Sequence, residues 1–354
     1  VPEEYWSLDV ELQKGKSVFT AALVEYDGEK SELKTEAECL NIISGLHGQE
    51  FQVSAVKETQ KTLRPRPPYT TSKLQQEAAN RFGFTSRKTM RIAQSLYEGV
   101  DIGSGPVGLI TYMRTDSTRI SPVALTEVRE YLAKNYPEEL PEKPNVYASG
   151  ARAQDAHEAI RPTYVANTPA DLKSSLTAEQ FKLYSLIWER FVSSQMKSGR
   201  SSTITVDIRA GEAMFRASST SVVQRGYQKV LRVLAPKNVK KVLPRLEVGE
   251  TLEVIRFHPE QHFTSGPARY TDASIIKALE EKGIGRPSTY APLISVLLDR
   301  YYVVRKNRQL AATQLGRIIN NLLTEHFSEL VNENFTAEME KRLDEIEGGT
   351  QSWA

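Results

Sequence analysis

A tyrosine and an arginine two residues apart have the side-chain chemistry that phosphoryl transfer needs. Tyr112 and Arg114 lie in the stretch GLITYMRTDS, residues 108–117. A phenol is a weak nucleophile until its anion is stabilised, and a guanidinium can bind a phosphate through two hydrogen bonds. If the extended period of two continues from the apolar start of the stretch, Tyr112, Arg114 and Asp116 share one face. The chain has 15 tyrosines, so these residues alone leave a core or surface role for Tyr112 open.

A second stretch, AQDAHEAIRPT at residues 153–163, places a histidine four residues before an arginine. That spacing predicts that His157 and Arg161 lie together on a helix turn, which Pro162 ends. A protonated histidine beside an arginine suits a phosphodiester, while a histidine that bonds the last carbonyls of a helix is the structural alternative. No second histidine or cysteine stands at ligand spacing, so the stretch does not predict a metal site.

A third stretch, KGIGRPSTY at residues 282–290, combines two glycines with an arginine and two hydroxyls. At a helix start, such residues can bind a phosphate through backbone N–H groups and side chains. Arg286, Ser288 and Thr289 are the candidates, and a plain turn between helices is the alternative.

The elements around these stretches divide the chain into β-rich and helical parts. Alternating patterns predict strands at residues 7–12, 17–21, 203–208, 214–216 and 251–255. The proline-rich residues 64–68 exclude helix. Thr85 or Ser86 then begins a helix with Met90, Ala93, Leu96 and Tyr97 on one side, and Gly99 ends it. The simplest interpretation is a β domain interrupted by a helical insert.

The last 90 residues predict a winged helix-turn-helix. Thr271 begins one helix, which Gly283 ends, and residues 286–288 begin a second. Residues 301–304 and 310–312 then predict a hairpin with a polar turn at 305–308. Such a unit indicates DNA contact, and an ordinary helical subdomain is the alternative.

Composition bounds the class of protein. A chain of 354 residues predicts two or three domains at roughly 150 residues each. The single cysteine, Cys39, excludes a disulfide framework and a zinc ribbon, and indicates a reducing, cytosolic compartment. No apolar run is long enough to span a membrane. The net charge is +2, yet residues 1–56 carry −7 and residues 57–119 carry +6, a contrast that fits either a polyanion site or solvated faces. The chain begins Val-Pro rather than Met, which indicates a piece of a longer protein.

Taken in order, the three stretches closely resemble bacterial DNA topoisomerase I, a type IA topoisomerase, and so does NFTAEME at residues 334–340. The resemblance covers essentially the whole chain. It implies a multi-domain α and β fold that forms part of a toroid: a discontinuous β-rich arch, a helical, winged-helix-like insert with the active tyrosine, and a C-terminal winged-helix-like helical domain. The implied limits are 1–8 for the end of a base-domain segment, 9–71 and 197–265 for the arch, 72–196 for the tyrosine domain and 266–354 for the base.

The resemblance also implies a reaction. Tyr112 would attack a DNA phosphodiester and hold the 5′ phosphate, so that religation needs no ATP. Arg114 would contact the scissile phosphate, and His157 would assist with the phosphate or a proton. The residues expected to contact DNA are Asp116, Arg161, Arg286, Ser288, Thr289 and Arg300. The overall reaction would be the relaxation of negatively supercoiled DNA through cleavage, strand passage and religation.

The sequence departs from the family in lacking a toprim domain with its acidic cluster, the preceding half of the base domain and the zinc ribbons. Mg²⁺ is implied for the full-length enzyme, but its ligands are not expected in this chain, and neither zinc nor ATP is expected. We therefore expect that this chain alone does not relax supercoils. The expected partner is a single-stranded segment of underwound duplex, with no membrane contact, a monomeric state and a cytoplasmic, nucleoid-associated location in bacteria.

Two other enzyme classes fit less well. A tyrosine recombinase places its arginine and histidine residues ahead of the tyrosine, whereas His157 and Arg161 follow Tyr112. A rolling-circle relaxase needs paired histidines on a strand, and the five histidines here include no such pair. A non-catalytic single-stranded DNA-binding module stays open. It predicts binding that is indifferent to Tyr112→Phe and never produces a covalent adduct.

Overall fold

The computed structural model describes residues 2–103, 105–148, 157–235 and 243–352, and the chain divides into two compact units. The β unit comprises Val1–Arg64, Ser198–Gly226 and Pro236–Ala268. The helical unit comprises Pro65–Lys197, Tyr227–Ala235 and Arg269–Ala354. The expectation of a β-rich part interrupted by a helical one is confirmed. The finer domain limits drawn from the resemblance stay a prediction.

The elements within the described ranges are as follows. The strands are β1 (Glu4–Lys14), β2 (Ser17–Tyr26), β3 (Glu29–Lys30), β4 (Phe51–Leu63), β5 (Val100–Asp101), β6 (Pro106–Val107), β7 (Gly199–Ala210), β8 (Ala213–Gln224), β9 (Thr251–Phe263), β10 (Val303–Lys306) and β11 (Gln309–Ala312). The helices are α1 (Glu36–Leu46), α2 (Thr71–Phe82), α3 (Ser86–Glu98), α4 (Pro122–Asn135), α5 (Ala178–Ser194), α6 (Asp272–Glu281), α7 (Tyr290–Asp299), α8 (Gln314–His326) and α9 (Glu333–Glu347).

The β unit is built on one antiparallel sheet in the order β1-β9-β4-β7-β8-β2-β3. Strand β1 also pairs with β2, with Val10 opposite Ala21, so the sheet closes on itself. Alternate side chains such as Leu8, Val10 and Leu12 point into its core, which is what the period-two pattern predicts.

Helix α1 and strand β4 of this unit are not predicted from the sequence. Helix α1 is capped by Thr35 and buries Cys39, Ile42 and Leu46 against the sheet. Strand β4 continues well beyond its buried residues Phe51 and Val53, and its remaining residues are largely exposed. That outer part is held by backbone pairing with β7, which continues to Leu63 opposite Gly199. A strand exposed on both faces has no apolar alternation, so its sequence carries no strand signal.

The helical unit encloses the larger core of the two. Leu74, Leu96, Met113 and Leu183 are fully buried in it, together with side chains of the returning segment 227–235. That segment is held by polar contacts as well. Glu189 on α5 accepts hydrogen bonds from the backbone N–H groups of Arg232, Val233 and Leu234 at 2.9–3.0 Å.

The predicted start signals of α3 and α6 and the stop signal of α3 are confirmed. Thr85 and Thr271 accept the capping hydrogen bonds of α3 and α6, and Gly99 follows α3. Helix α7 begins at Tyr290, a few residues later than predicted, because residues 287–289 form a turn. The hairpin β10–β11 is also present, with a turn of two residues, Asn307 and Arg308, both at positive φ. Helix, turn, helix and hairpin therefore follow in the order of a winged helix-turn-helix.

Candidate active site

The segment around Tyr112 is extended but belongs to no sheet. Leu109 N–H donates to the Leu96 carbonyl at 2.7 Å, and Thr111 N–H donates to the Arg161 carbonyl at 2.9 Å. Further along, Thr115 N–H donates to the hydroxyl of Thr71 at 2.9 Å, and that hydroxyl donates to the Met113 carbonyl at 2.6 Å. The backbone on either side of Tyr112 is therefore fixed to α2, to α3 and to the 157–163 segment.

Burial alternates along this segment. Met113 is fully buried, and Thr115 and Ser117 are each 2% exposed, whereas Tyr112 is 40% exposed and Arg114 lies at the surface. The alternation is the one expected of an extended chain, so the structure places Tyr112 and Arg114 on its outer side. Among the residues that the structure describes, no carboxylate forms an ion pair with Arg114.

Two rings flank the ring of Tyr112. The Tyr97 ring lies edge-on to it, with centroids 5.5 Å apart and an interplanar angle of 65°. On another side the His157 ring is 6.2 Å away at 31°. The structure thus brings the tyrosine and the histidine together, although 44 residues separate them in the chain.

The predicted helix turn at His157 is wrong. Residues 157–162 are extended: Ile160 pairs with Tyr69 and Pro162 with Ile110 as isolated β-bridges. The tertiary pairing with the tyrosine segment supplies the backbone partners that a helix would otherwise provide, and it aligns the two motifs side by side. Residues 153–156 of this motif lie outside the described residues.

Arg161 lies in a local ion pair. Its Nε donates to Glu158 at 2.8 Å, its Nη1 donates to the Pro162 carbonyl, and its side chain is 12% exposed. Burial alone raises the pKa of Glu158, but the hydrogen bond and charge of Arg161 outweigh that effect, so the pKa of Glu158 is lowered. Arg161 therefore fixes the 157–162 segment, and contact with DNA would require it to exchange this partner.

The third motif forms a tight turn between α6 and α7. Gly285 has φ of +83°, and an added Cβ would lie 3.1 Å from the Tyr290 ring, so the turn needs a glycine there. The Thr289 hydroxyl accepts from the Arg286 N–H at 2.8 Å. Ser288 and Thr289 are exposed at the surface, as is Arg300 at the end of α7.

Arg286 is held by two carboxylates of α9. Its Nη1 lies 2.9 Å from Glu340 and its Nη2 lies 2.6 Å from Asp344, and its side chain is 24% exposed. Arg286 also donates to the backbone carbonyls of Gly285 and Glu340. This arginine therefore carries less uncompensated charge than the sequence suggests.

A cavity of about 880 Å³ within the helical unit joins the first and third motifs. Thr115, Asp116 and Thr118 line it from the tyrosine segment, and Gly285, Arg286 and Pro287 line it from the turn. The cationic side chains among its lining residues are Arg66, Lys73, Arg190, Lys277, Lys282 and Arg286, and the acidic ones are Glu77, Asp116, Glu280 and Glu281. Two of these cations, Lys282 and Arg286, pair with carboxylates that lie outside the lining, so the cavity carries basic side chains but little uncompensated positive charge.

Glu280 links the walls of this cavity. It accepts hydrogen bonds from Ser72 at 2.8 Å, Lys73 at 2.7 Å and Gln76 at 3.1 Å, all on α2. Burial alone raises the pKa of Glu280, but the bonds from Lys73 and Ser72 outweigh it and the pKa is lowered. Burial also raises the pKa of Tyr290 to about 12, with smaller contributions from Glu280 and Asp116.

Tyr97 and Lys73 are residues of this region that the sequence analysis does not select. The helical pattern predicts Tyr97 on the apolar side of α3, yet 41% of this residue is exposed and its ring contacts Tyr112. The available signal is an aromatic residue in the last turn of a helix, two residues before Gly99. Lys73 carries no motif, and its position is evident only from the fold.

Residues 2–103, 105–148, 157–235 and 243–352 contain neither a metal-binding cluster nor a membrane-spanning helix. No group of three or more His, Cys, Asp or Glu side chains there is arranged to hold a metal ion. No helix in those ranges has the length and apolarity that a membrane crossing requires.

Comparison with known proteins matches residues 1–354 to the DNA topoisomerase family. The chain is 52% identical over 354 residues to DNA topoisomerase 1 of Treponema pallidum (strain Nichols), a match that covers 100% of this chain and 48% of that protein. The structure of full-length topoisomerase I from Thermotoga maritima matches with a TM-score of 0.84 and 36% identity, over 99% of this chain and 56% of that one. The chain therefore belongs to the bacterial DNA topoisomerase I family, which confirms the resemblance, and it spans about half the length of these relatives.

Proposed function

We propose that this chain is the part of a type IA topoisomerase that cleaves and rejoins one DNA strand, with Tyr112 as the nucleophile. The phenol oxygen of Tyr112 forms a bond to a backbone phosphorus, and the bond from that phosphorus to the 3′ oxygen breaks. The phenol proton passes to a base, and the departing 3′ oxygen takes up a proton to leave a free hydroxyl. Attack by that hydroxyl reverses the exchange, so the phosphotyrosine conserves the bond energy and no ATP is consumed.

One observation carries this proposal: Tyr112 lies on the outer side of a backbone fixed at both ends, with Arg114 beside it and the His157 ring 6.2 Å away. Arg114 is exposed and has no ion-pair partner among the described residues, and we propose that its guanidinium binds the scissile phosphate. His157 is this chain's candidate for the proton or for a second phosphate contact.

We further propose that the DNA backbone follows the cavity, which the tyrosine segment lines through Thr115, Asp116 and Thr118 and not through Tyr112 itself. Asp116 lies in its wall. Ser288 and Thr289 are exposed residues of the turn that lines it, and Arg300 is exposed at the end of α7. Arg161 and Arg286 remain predicted DNA contacts that would have to exchange the carboxylates they now bind. A single strand is the proposed substrate because the family resemblance implies one.

The rest of the proposal concerns the whole protein and rests on the family. We propose that the whole protein relaxes negatively supercoiled DNA, and that it acts as a monomer in the bacterial cytoplasm, at the nucleoid. In this proposal residues 9–71 and 197–265 form the arch, residues 72–196 the tyrosine domain and residues 266–354 the base. Magnesium is implied for the complete enzyme. The described residues do not form a ligand set for it, so we assign no ligand here and expect no relaxation by residues 1–354 alone.

The test is to trap the covalent intermediate. The chain, with and without a toprim-containing fragment of a relative and Mg²⁺, is mixed with single-stranded DNA labelled 5′ or 3′ of the cleavage site and then denatured. We expect label on the protein from the 3′-side fragment only, and none in Tyr112→Phe. An adduct formed with the chain alone and accompanied by relaxation of a plasmid would contradict the expected dependence on the missing parts.

The same experiment distinguishes the cleavage function from the alternative, a non-catalytic module that only binds single-stranded DNA. Equal single-stranded DNA affinity in wild type and Tyr112→Phe, with no adduct even after complementation, would leave a non-catalytic DNA-binding module. Tyr164→Phe, another exposed tyrosine of the helical unit, is the matched control and should retain the adduct.

A further inference from the structure

The ring of Tyr97 lies against the proposed nucleophile but belongs to none of the three motifs. It is on the last turn of α3, and its ring meets that of Tyr112 edge-on at 5.5 Å. An edge-to-face pair at this separation is the favoured geometry for two aromatic rings. Because Tyr97 is 41% exposed, burial of its side chain in the core does not account for its position.

The backbone fixes where Tyr97 stands relative to Tyr112. Leu96, next to it, is fully buried, and its carbonyl accepts the Leu109 N–H at 2.7 Å. Gly108 passes so close that an added Cβ would lie 2.7 Å from the Tyr97 carbonyl oxygen. The Gly108 carbonyl in turn accepts from the Thr163 hydroxyl at 2.7 Å. The end of α3 and the start of the tyrosine segment are therefore joined at the level of the main chain.

The ring of Tyr112 needs such a neighbour. No hydrogen bond to its hydroxyl is found among the described residues, and the side chain is 40% exposed. An exposed side chain without a polar partner samples several rotamers, whereas in-line attack on phosphorus requires one orientation. Tyr97 on one side and His157 on another restrict that choice.

We infer that Tyr97 is a positioning residue for the cleavage reaction: its ring, through edge-to-face contact, holds Tyr112 in the orientation from which the phenol oxygen reaches the scissile phosphate. This inference rests on the proposed role of Tyr112 as nucleophile. The contact requires the ring and not the hydroxyl of Tyr97. Tyr97→Phe should therefore keep the function, and Tyr97→Leu should lose it.

The kinetic test measures single-turnover formation of the covalent adduct on a single-stranded oligonucleotide, using the complete or complemented protein. Tyr97→Leu should slow adduct formation about three- to tenfold, the range set by the strength of one aromatic pair. Tyr97→Phe should match wild type, and all should bind the oligonucleotide with unchanged Kd. Tyr26→Leu, which truncates a similarly exposed tyrosine on β2, is the control that should leave the rate unchanged.

Two outcomes would overturn the inference. A weakened Kd with an unchanged rate at saturation would mean that Tyr97 stacks on the nucleic acid instead of on Tyr112. Equal slowing by Tyr97→Phe and Tyr97→Leu would mean that the hydroxyl acts and the ring contact does not.

A second measurement does not depend on cleavage. With 3-fluorotyrosine at position 112, the ¹⁹F resonance of the chain should shift and sharpen in Tyr97→Leu, as the ring gains freedom, and should change little in Tyr97→Phe. An unchanged resonance in Tyr97→Leu would refute the contact. If wild type forms no adduct at all, the proposed function is refuted. The ¹⁹F resonance would then still show whether the rings of Tyr97 and Tyr112 are in contact.

Discussion

The tyrosine segment, residues 108–117, and the turn between α6 and α7, residues 283–290, look alike as sequences but differ as structures. Each places an arginine among hydroxyls and small residues, as a phosphate site would. In the first, Arg114 is at the surface with no ion-pair partner among the described residues. In the second, Arg286 is bound by Glu340 and Asp344, which follow it by 54 and 58 residues.

The difference shows what decides whether a basic side chain is available to a ligand. The extended segment buries alternate residues and so must expose the ones between them. The turn instead packs against α9, whose carboxylates approach from one side. Local sequence sets the first arrangement, whereas the second depends on a helix that is distant in the chain. We therefore expect Arg114 to matter for chemistry and Arg286 to matter mainly for structure.

The largest expected effect is at Arg114. Arg114→Ala should slow adduct formation about 100-fold or more, because one charge-stabilising donor is removed from the transition state. The free energy of unfolding should change by less than about 0.5 kcal/mol, as is usual for an exposed side chain. Single-turnover kinetics and urea unfolding measure the two quantities. A large loss of stability with normal kinetics would reverse the assignment.

The next effect is at Arg286. Arg286→Ala removes the cation that Glu340 and Asp344 share in a partly buried cluster, so it should lower the free energy of unfolding by about 3 kcal/mol. Adduct formation at a temperature where the variant is folded should fall less than in Arg114→Ala.

The matched control for Arg286 is an arginine of the helical unit that forms an ion pair at a more exposed position. Arg87 on α3 pairs with Asp299 at 2.6 Å, but both side chains are at least 60% exposed. Arg87→Ala should therefore cost less than about 1 kcal/mol. If both variants lose the same free energy of unfolding, partial burial does not explain the contribution of the Arg286 ion pairs to stability.

What the sequence could predict follows the same division. Strand β1 buries Leu8, Val10 and Leu12, strand β7 buries Val206 and Ile208 but leaves Ile204 exposed, and the caps at Thr85 and Thr271 bond their own helices. Local patterns were therefore largely sufficient for these elements. Helix α1 was also within reach, since Thr35 with Glu38 and the buried Cys39, Ile42 and Leu46 form a capped amphipathic pattern.

The rest depends on partners that are remote in the chain. The outer half of β4 is a strand because β7 pairs with it, and residues 157–162 are extended because Ile110 and Tyr69 pair with them. The spacing of His157 and Arg161 suggested a helix, since four residues fit one turn as well as they fit a strand face. The approach of His157 and Tyr97 to Tyr112 likewise follows from packing, for which the motifs contain no signal.

The smallest predicted effect concerns Glu280, which connects the two compared regions through α2. Thr71 of that helix bonds the tyrosine segment, while Ser72 and Lys73 bond Glu280. Since the pKa of Glu280 is lowered in the folded chain from an ordinary value of 4.5, the ionised form is favoured by folding. Its contribution should be complete above about pH 4.5 and should disappear as the pH falls through the lowered pKa.

Glu280→Gln should thus lower the free energy of unfolding by about 1 kcal/mol at pH 7, because the side chain is 30% exposed and one of its partners is charged. At the acid end of the range, wild type and variant should unfold alike, since both then carry a neutral side chain at this position. Urea unfolding across the pH range gives the comparison, with Glu281→Gln as the control, because Glu281 is exposed and pairs with Lys277 along its own helix. A deficit that persisted unchanged in acid would mean that shape and hydrogen bonding at Glu280, and not its charge, join the tyrosine-bearing region to the helix-turn-helix.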